Sequence, residues 1–142
     1  MRQLRPACAV LMLVATVWSA TGCRLDRQES SSKTVGAITL LDASGIEHVL
    51  PRPAERLVSL VPSATETLRA MGAESTLVGR TDYDTGPWIA ELPSVGGGIG
   101  PNLEAVVALQ PDLVVRFAGG QDQVTPSRLD ELGIPHISIR PN

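Results

Sequence analysis

Leu57-Val58-Ser59-Leu60-Val61-Pro62-Ser63-Ala64-Thr65-Glu66 holds the switch from one backbone periodicity to another. The first five residues form a short apolar run, too brief for a helix and suited to a strand buried on both faces. Ser63 and Glu66 stand at capping-box spacing, where the hydroxyl accepts from the third helical amide and the carboxylate reaches back. Leu68 and Met71 continue one inward face, and Gly72 is a natural stop. The segment predicts strand, tight loop, helix.

Upstream, Val35–Leu41, Asp42-Ala43-Ser44-Gly45 and Ile46–Leu50 predict a β-hairpin with a Gly-containing turn, ended by Pro51 and Pro53. Downstream, the strand–loop–helix unit recurs. Thr76–Gly79 is a short strand, Asp82–Trp88 a polar loop, and Val95 belongs to another short strand ahead of Gly96-Gly97-Gly98-Ile99-Gly100. Asn102 caps a helix whose Leu103, Val106 and Val107 share one face, and Leu113-Val114-Val115 is an apolar strand. Thr125-Pro126 opens a further helix with Leu129 and Leu132 inward and Gly133 at its end, and Ile134–Ile139 is a last strand. This alternation is that of an α/β fold, a Rossmann-like lobe with a short, mostly parallel sheet flanked by helices and preceded by the hairpin. Ligands bind such sheets at the carboxyl ends of the strands. The candidate loops are therefore Pro62–Thr65, Arg80–Pro87, Gly96–Pro101 and Arg116–Gln121.

Chemical motifs narrow the choice. The glycine cluster fails the dinucleotide fingerprint, because either register puts Pro101 or Leu103 where the third glycine belongs. It is a side-chain-free loop that lets backbone come close to a ligand or another subunit. Ser63 is not in a nucleophile elbow, since Val61 and Thr65 occupy the glycine positions. His48 and His136 fall in the hairpin and the last strand, lack metal-ligand spacing, and offer Ser63 no obvious base. Glu104 has two explanations: a first-turn acid favoured by the helix dipole, or an exposed carboxylate held for a partner's arginine.

Arg56–Glu66, Val78-Gly79-Arg80-Thr81-Asp82-Tyr83, Asn102-Leu103-Glu104, Ala108–Val114 and Leu132-Gly133-Ile134-Pro135 together resemble the cobalamin and iron–siderophore (or haem) binding proteins of ABC importers. The resemblance runs from about Val35 to the last residue. It implies two α/β lobes joined by a long helix, with a metal chelate (cobalamin, ferric siderophore or haem) held between them and no catalytic residue, resident cofactor or metal ligand. It places Pro62, Ser63, Tyr83, Gly97, Gly98 and Phe117 on the ligand wall of the first lobe. It makes Glu104 the residue that docks onto an arginine of the permease. Cobalamin binders of this kind carry tryptophans near the positions of Gly98 and Phe117. Residues 35–142 match only the first lobe, so the linking helix and second lobe are expected to be missing, and one lobe offers half a cleft.

Residues 1–22 read as an export signal: Arg2 and Arg5, an apolar run from Ala7 to Trp18 too short to span a bilayer, then small residues. Ala20-Thr21-Gly22-Cys23 resembles a bacterial lipobox, which implies cleavage before Cys23 and a lipid anchor on its thiol. The alternative is an ordinary secretory signal with Cys23 a free thiol or half of a disulfide. Cys8 lies in the removed segment, so Cys23 would have no partner in the chain. Residues 23–34 are polar and Ser-rich, as in a flexible tether, and residues 35–142 form the lobe.

Of 142 residues, 43% are hydrophobic and 19% charged, with a net charge of −3 that becomes −5 when Arg2 and Arg5 are removed. An acidic chain whose one lysine is Lys33 argues against nucleic acid and against a Walker A loop. The expected protein is an exported, membrane-anchored receptor facing the periplasm or cell exterior, which passes a chelate to its permease. Its rivals are an exported α/β hydrolase using Ser63 and a lipoprotein domain that binds nothing.

Overall fold

The computed structural model describes residues 36–140. The expected signal, the tether, Cys23 and Val35 lie outside them. Two short antiparallel strands, β1 (Ile38–Leu41) and β2 (Glu47–Leu50), make the hairpin. Four more, β3 (Leu57–Ser59), β4 (Leu77–Gly79), β5 (Leu113–Phe117) and β6 (His136–Ile139), form one parallel sheet in the order β4-β3-β5-β6. The crossovers carry α1 (Pro62–Ala70), α2 (Leu103–Ala108) and α3 (Val124–Glu131).

Period-two alternation divides the core. Val58 and Val114 point to the face covered by α2 and α3, where they meet Val95, Val106 and Leu129. Leu57, Leu113 and Val115 point to the opposite face, packed with Leu77, Ile89 and the partly buried Ala64, Leu68 and Trp88. Both faces of the parallel sheet are thus lined by apolar side chains, which is what its crossover geometry requires.

The helix ends correct several expectations. The capping box at Ser63 does not form: α1 begins at Pro62, capped by Val61 with no side-chain bond. A proline ring fixes φ at the helical value and has no N–H to satisfy, so the first turn starts two residues sooner. Glu66 instead approaches Arg69 on the surface at 3.8 Å. Met71 is the C-cap residue of α1 and is 74% exposed, so the inward face of that helix is Thr65 and Leu68. Val95 sits beside a single bridge between Arg80 and Ser94 rather than in a strand.

Asn102 caps α2 as expected, its Oδ1 accepting from Ala105 N at 3.1 Å. The far end of α2 is closed by Arg56, which donates through Nη2 to Leu109 O at 2.6 Å and through Nε to Gln110 O at 3.1 Å. At α3 the capping side chain is Asp122, accepting from Thr125 N at 2.9 Å. Val107 and Leu132, expected inward, are exposed.

Buried Asp42 fastens the hairpin to the edge strand. Its carboxylate accepts from Ser44 N, Ile46 N, Ser138 N and Ser138 Oγ at 2.7–3.1 Å, and His48 Nε2 lies 3.1 Å away. Ala43 N donates to Ser138 O at 3.0 Å, so both main-chain groups of Ser138 are bound by the hairpin turn.

Candidate functional site

Of the four candidate loops, Pro62–Thr65 is instead the first turn of α1, and the glycine loop follows a lone bridge at Ser94 rather than a strand. Three of them, with the end of the segment after β3, enclose one open cavity of about 440 Å³. Leu60, Val61 and Pro62 follow β3, Tyr83 follows β4, Gly97, Gly98 and Ile99 come from the glycine loop, and Phe117 and Gln121 follow β5. Five of the six expected wall residues (Pro62, Tyr83, Gly97, Gly98, Phe117) are therefore brought together. Ser63 is not. It is exposed on α1 and lines a neighbouring apolar groove with Thr67, Leu68, Val115, Ile137 and Ile139. Consecutive helical residues point about 100° apart, so Pro62 and Ser63 serve different surfaces.

The Tyr83 loop and the glycine loop are held from behind. Asp84 accepts from Thr81 N and Thr81 Oγ1, both at 2.7 Å, and the same hydroxyl oxygen receives Tyr83 N at 3.3 Å. That small turn presents the Tyr83 ring outward, 70% exposed. Asp82 N donates to Gly96 O at 2.9 Å and ties the Tyr83 loop to the glycine loop. A Cβ added at Gly98 would fall about 1 Å inside van der Waals contact with Leu60 O. The close approach expected of the glycine loop is thus to the chain's own β3 exit. The same clash shows why no ring can stand at Gly98 on this backbone.

Phe117 ends β5, 41% exposed, and its ring lies over Gly119, where a Cβ would come within 2.5 Å of Cε1. Ile99 and Gln121 fall within the expected Gly96–Pro101 and Arg116–Gln121 loops without being singled out there, and Asp122 lies one residue beyond them. Asp122 accepts from Thr125 N, and Gly100 N points to its other oxygen at 3.5 Å, so it links the glycine loop to α3. Burial works against its charge, but bonds from Thr125, Gly100 and Val124 outweigh it and hold the carboxyl below the usual aspartate range. Its signal was present in the sequence as an aspartate three residues before Thr125-Pro126.

Among the described residues no ionised side chain lines the cavity: its surface is apolar, with the Phe117 ring, the Tyr83 phenol, the Gln121 carboxamide and exposed peptide groups. Such a wall can stack on and hydrogen-bond a ligand but offers no nucleophile–base pair. The histidines are engaged elsewhere. Arg116 Nε donates to His136 Nδ1 at 3.2 Å, which leaves the hydrogen on Nε2, 3.1 Å from Asp130. His48 is paired with Asp42. Among the described residues no group of three His, Cys, Asp or Glu is placed to hold a metal.

Glu104 lies away from the cavity on the exposed side of α2. It borders a separate groove of about 400 Å³ with Leu103, Val107, Ala108, Arg128 and Leu132, and makes no ion pair among the described residues.

The chain is similar to several known proteins. It is 34% identical over 136 residues to an uncharacterized ABC transporter substrate-binding lipoprotein, YvrC, of Bacillus subtilis (strain 168), covering 92% of this chain and 43% of that protein. Among solved structures, the periplasmic vitamin B12 binding protein BtuF of Vibrio cholerae is 34% identical, with a TM-score of 0.54 over 61% of this chain and 34% of its own. The heme binding protein HmuT is 25% identical, with a TM-score of 0.65 over 75% of this chain and 35% of its own. The chain spans less than half the length of the curated relatives it matches. A family model described as "Periplasmic binding protein" matches residues 57–142, every element from β3 onward. The chain therefore belongs to the periplasmic binding protein family, whose members bind solutes and are not enzymes.

Proposed function

We propose that this chain is the first lobe of an exported substrate-binding protein that captures a metal chelate and delivers it to an ABC importer. The observation that carries the proposal is the meeting of Pro62, Tyr83, Gly97, Gly98 and Phe117 on one cavity at the carboxyl edge of the sheet. Its uncharged lining suits the broad faces of a corrin or porphyrin, where Tyr83 and Phe117 stack and backbone groups meet peripheral polar atoms. The names of the relatives, a vitamin B12 binder and a haem binder, support the same class, which also includes ferric siderophores. A single wall leaves the ligand's other face open, so full capture calls for an opposing lobe reached by a linking helix. In this proposal Glu104 contacts an arginine of the permease, and a lipid on Cys23 keeps the receptor on the outer side of a membrane.

Fluorescence titration tests the proposal. Trp88 is the one tryptophan left after cleavage at Cys23. Cyanocobalamin and haemin absorb where it emits, so binding quenches it even though it does not line the cavity. Saturable quenching by one of cyanocobalamin, haemin or ferrichrome, weakened by Phe117→Ala, is the expected result. No saturable binding of any of the three to the full chain would overturn the proposal.

A further inference from the structure

We propose that Arg116 sets the ligand's selectivity: its buried guanidinium receives a peripheral carboxylate of the chelate, so the wall prefers acidic chelates to neutral ones. The inference rests on the chelate-capture proposal and narrows its substrate class. Period-two alternation puts Phe117 in the ligand cavity and turns Arg116 to the other face of β5. The strand ends there, and the two side chains border one narrow recess beside Gly119 and Asp122. That recess shares Gly98, Ile99, Phe117 and Gln121 with the ligand cavity. A ligand arm leaving the cavity past the Phe117 ring therefore meets Arg116. The free space of about 10 Å³ admits one oxygen atom and no ring.

The charge of Arg116 is uncompensated. The residue is 9% exposed, yet it makes no ion pair among the described residues. Its Nε donates to His136 Nδ1 at 3.2 Å and its Nη1 to Phe117 O at 3.4 Å, while Nη2 has no hydrogen-bond partner among the described residues. The accepting imidazole nitrogen carries no proton, so His136 steers the guanidinium without neutralising it. Asp130 bonds the far nitrogen of that ring, and its side chain is 75% exposed. Asp122 shares the recess, but its oxygens are engaged by Thr125 N and Gly100 N rather than by the guanidinium. A buried cation held by neutral groups alone is unfavourable, and arginine cannot shed its proton to escape burial. An anion that enters beside it is correspondingly stabilised. A carboxylate oxygen accepts charge-assisted bonds from both sides of the pair, stronger than those to the carbonyl of an amide or ester. The favoured chelates are thus those with carboxylate arms, such as the propionates of haem, over a corrin rimmed with carboxamides.

The test titrates the full chain with haemin, haemin dimethyl ester and cyanocobalamin in one detergent buffer, read by the absorbance of each ligand. Haemin binds about tenfold more tightly than its ester. Arg116→Gln, shown to be folded by circular dichroism, brings haemin down to the affinity of the ester and leaves the ester unchanged. Arg116→Lys keeps part of the preference, since the charge remains. The comparison of haemin with its ester in the parent needs no variant, so it decides the matter even if Arg116→Gln does not fold. Equal affinity for acid and ester, or a gap that persists in Arg116→Gln, overturns the role of Arg116 and leaves chelate capture standing. Cyanocobalamin bound in preference to haemin does the same. No binding of any of the three overturns chelate capture itself, and this inference with it.

Discussion

A methyl group placed at Gly98 has no room on this backbone. The obstacle is Leu60 O, with Leu60 C another 3.4 Å neighbour, and both belong to main chain rather than to a side chain that could swing aside. Neither partner yields easily. Leu60 N is bound to Val115 O at 2.8 Å at the edge of the sheet, and the glycine loop is held by Asp82 N to Gly96 O at 2.9 Å and Asn102 N to Val95 O at 2.8 Å. Relief requires about 1 Å of separation between two restrained strands of backbone. Overpacking of this kind costs roughly 1–3 kcal/mol, and backbone on both sides puts Gly98→Ala near the top, about 3 kcal/mol. For a domain of this size each kcal/mol moves Tm by about 4–8 °C, so the expected fall is roughly 12–24 °C. Circular dichroism melts of parent, Gly98→Ala and Gly120→Ala make the comparison. A Cβ at Gly120 meets nothing within 4 Å, so that variant stays within about 0.5 kcal/mol of the parent. Because Gly98 also borders the ligand cavity, chelate affinity falls as well. A Gly98→Ala protein that melts within about 2 °C of the parent and binds as tightly would refute this account of the wall.

Tyr83→Ala and Phe117→Ala each remove an exposed ring, so each lowers chelate affinity about tenfold in fluorescence titration with little change in Tm. At Asp42, burial opposes the charge, but bonds from Ile46, Ser138 and His48 prevail and hold the carboxyl below the usual aspartate range. Its stabilisation is therefore complete above an unfolded aspartate's pKa of about 4 and is lost as the pH falls from there. Asp42→Asn is less stable at neutral pH and shows a flatter acid limb in melts taken between about pH 5 and pH 2. Asn102→Ala lowers stability by about 1 kcal/mol in urea denaturation and leaves chelate affinity unchanged.

Much of the fold is legible in the sequence because its apolar runs are short and cleanly bounded. The stops at Gly72 and Gly133 and the caps near Asn102 are local signals that tertiary contacts do not override. What was lost depends on angles that sequence spacing does not carry. The i, i+3, i+4 stripe on α2 assigns Val107 inward, but six residues give under two turns, and the core takes Leu103, Ala105 and Val106 from this helix rather than Val107. Ile89 is fully buried in an irregular segment with no periodicity to announce it. The cavity was legible as loops at one edge, since topology fixes that edge. The separation of Ser63 from Pro62 was not, because it turns on α1 starting two residues early.

The hold of the hairpin turn on Ser138 has a consequence for how the molecule keeps to itself. An outer strand of a sheet offers its free peptide groups to any passing extended chain, and polymers start by such templating. Here the midpoint of that outer strand is blocked from within, by a turn carrying its own buried anion. An incoming strand would have to peel the turn away and leave Asp42 without its donors. The barrier to runaway association is thus built into the same contact that closes the domain.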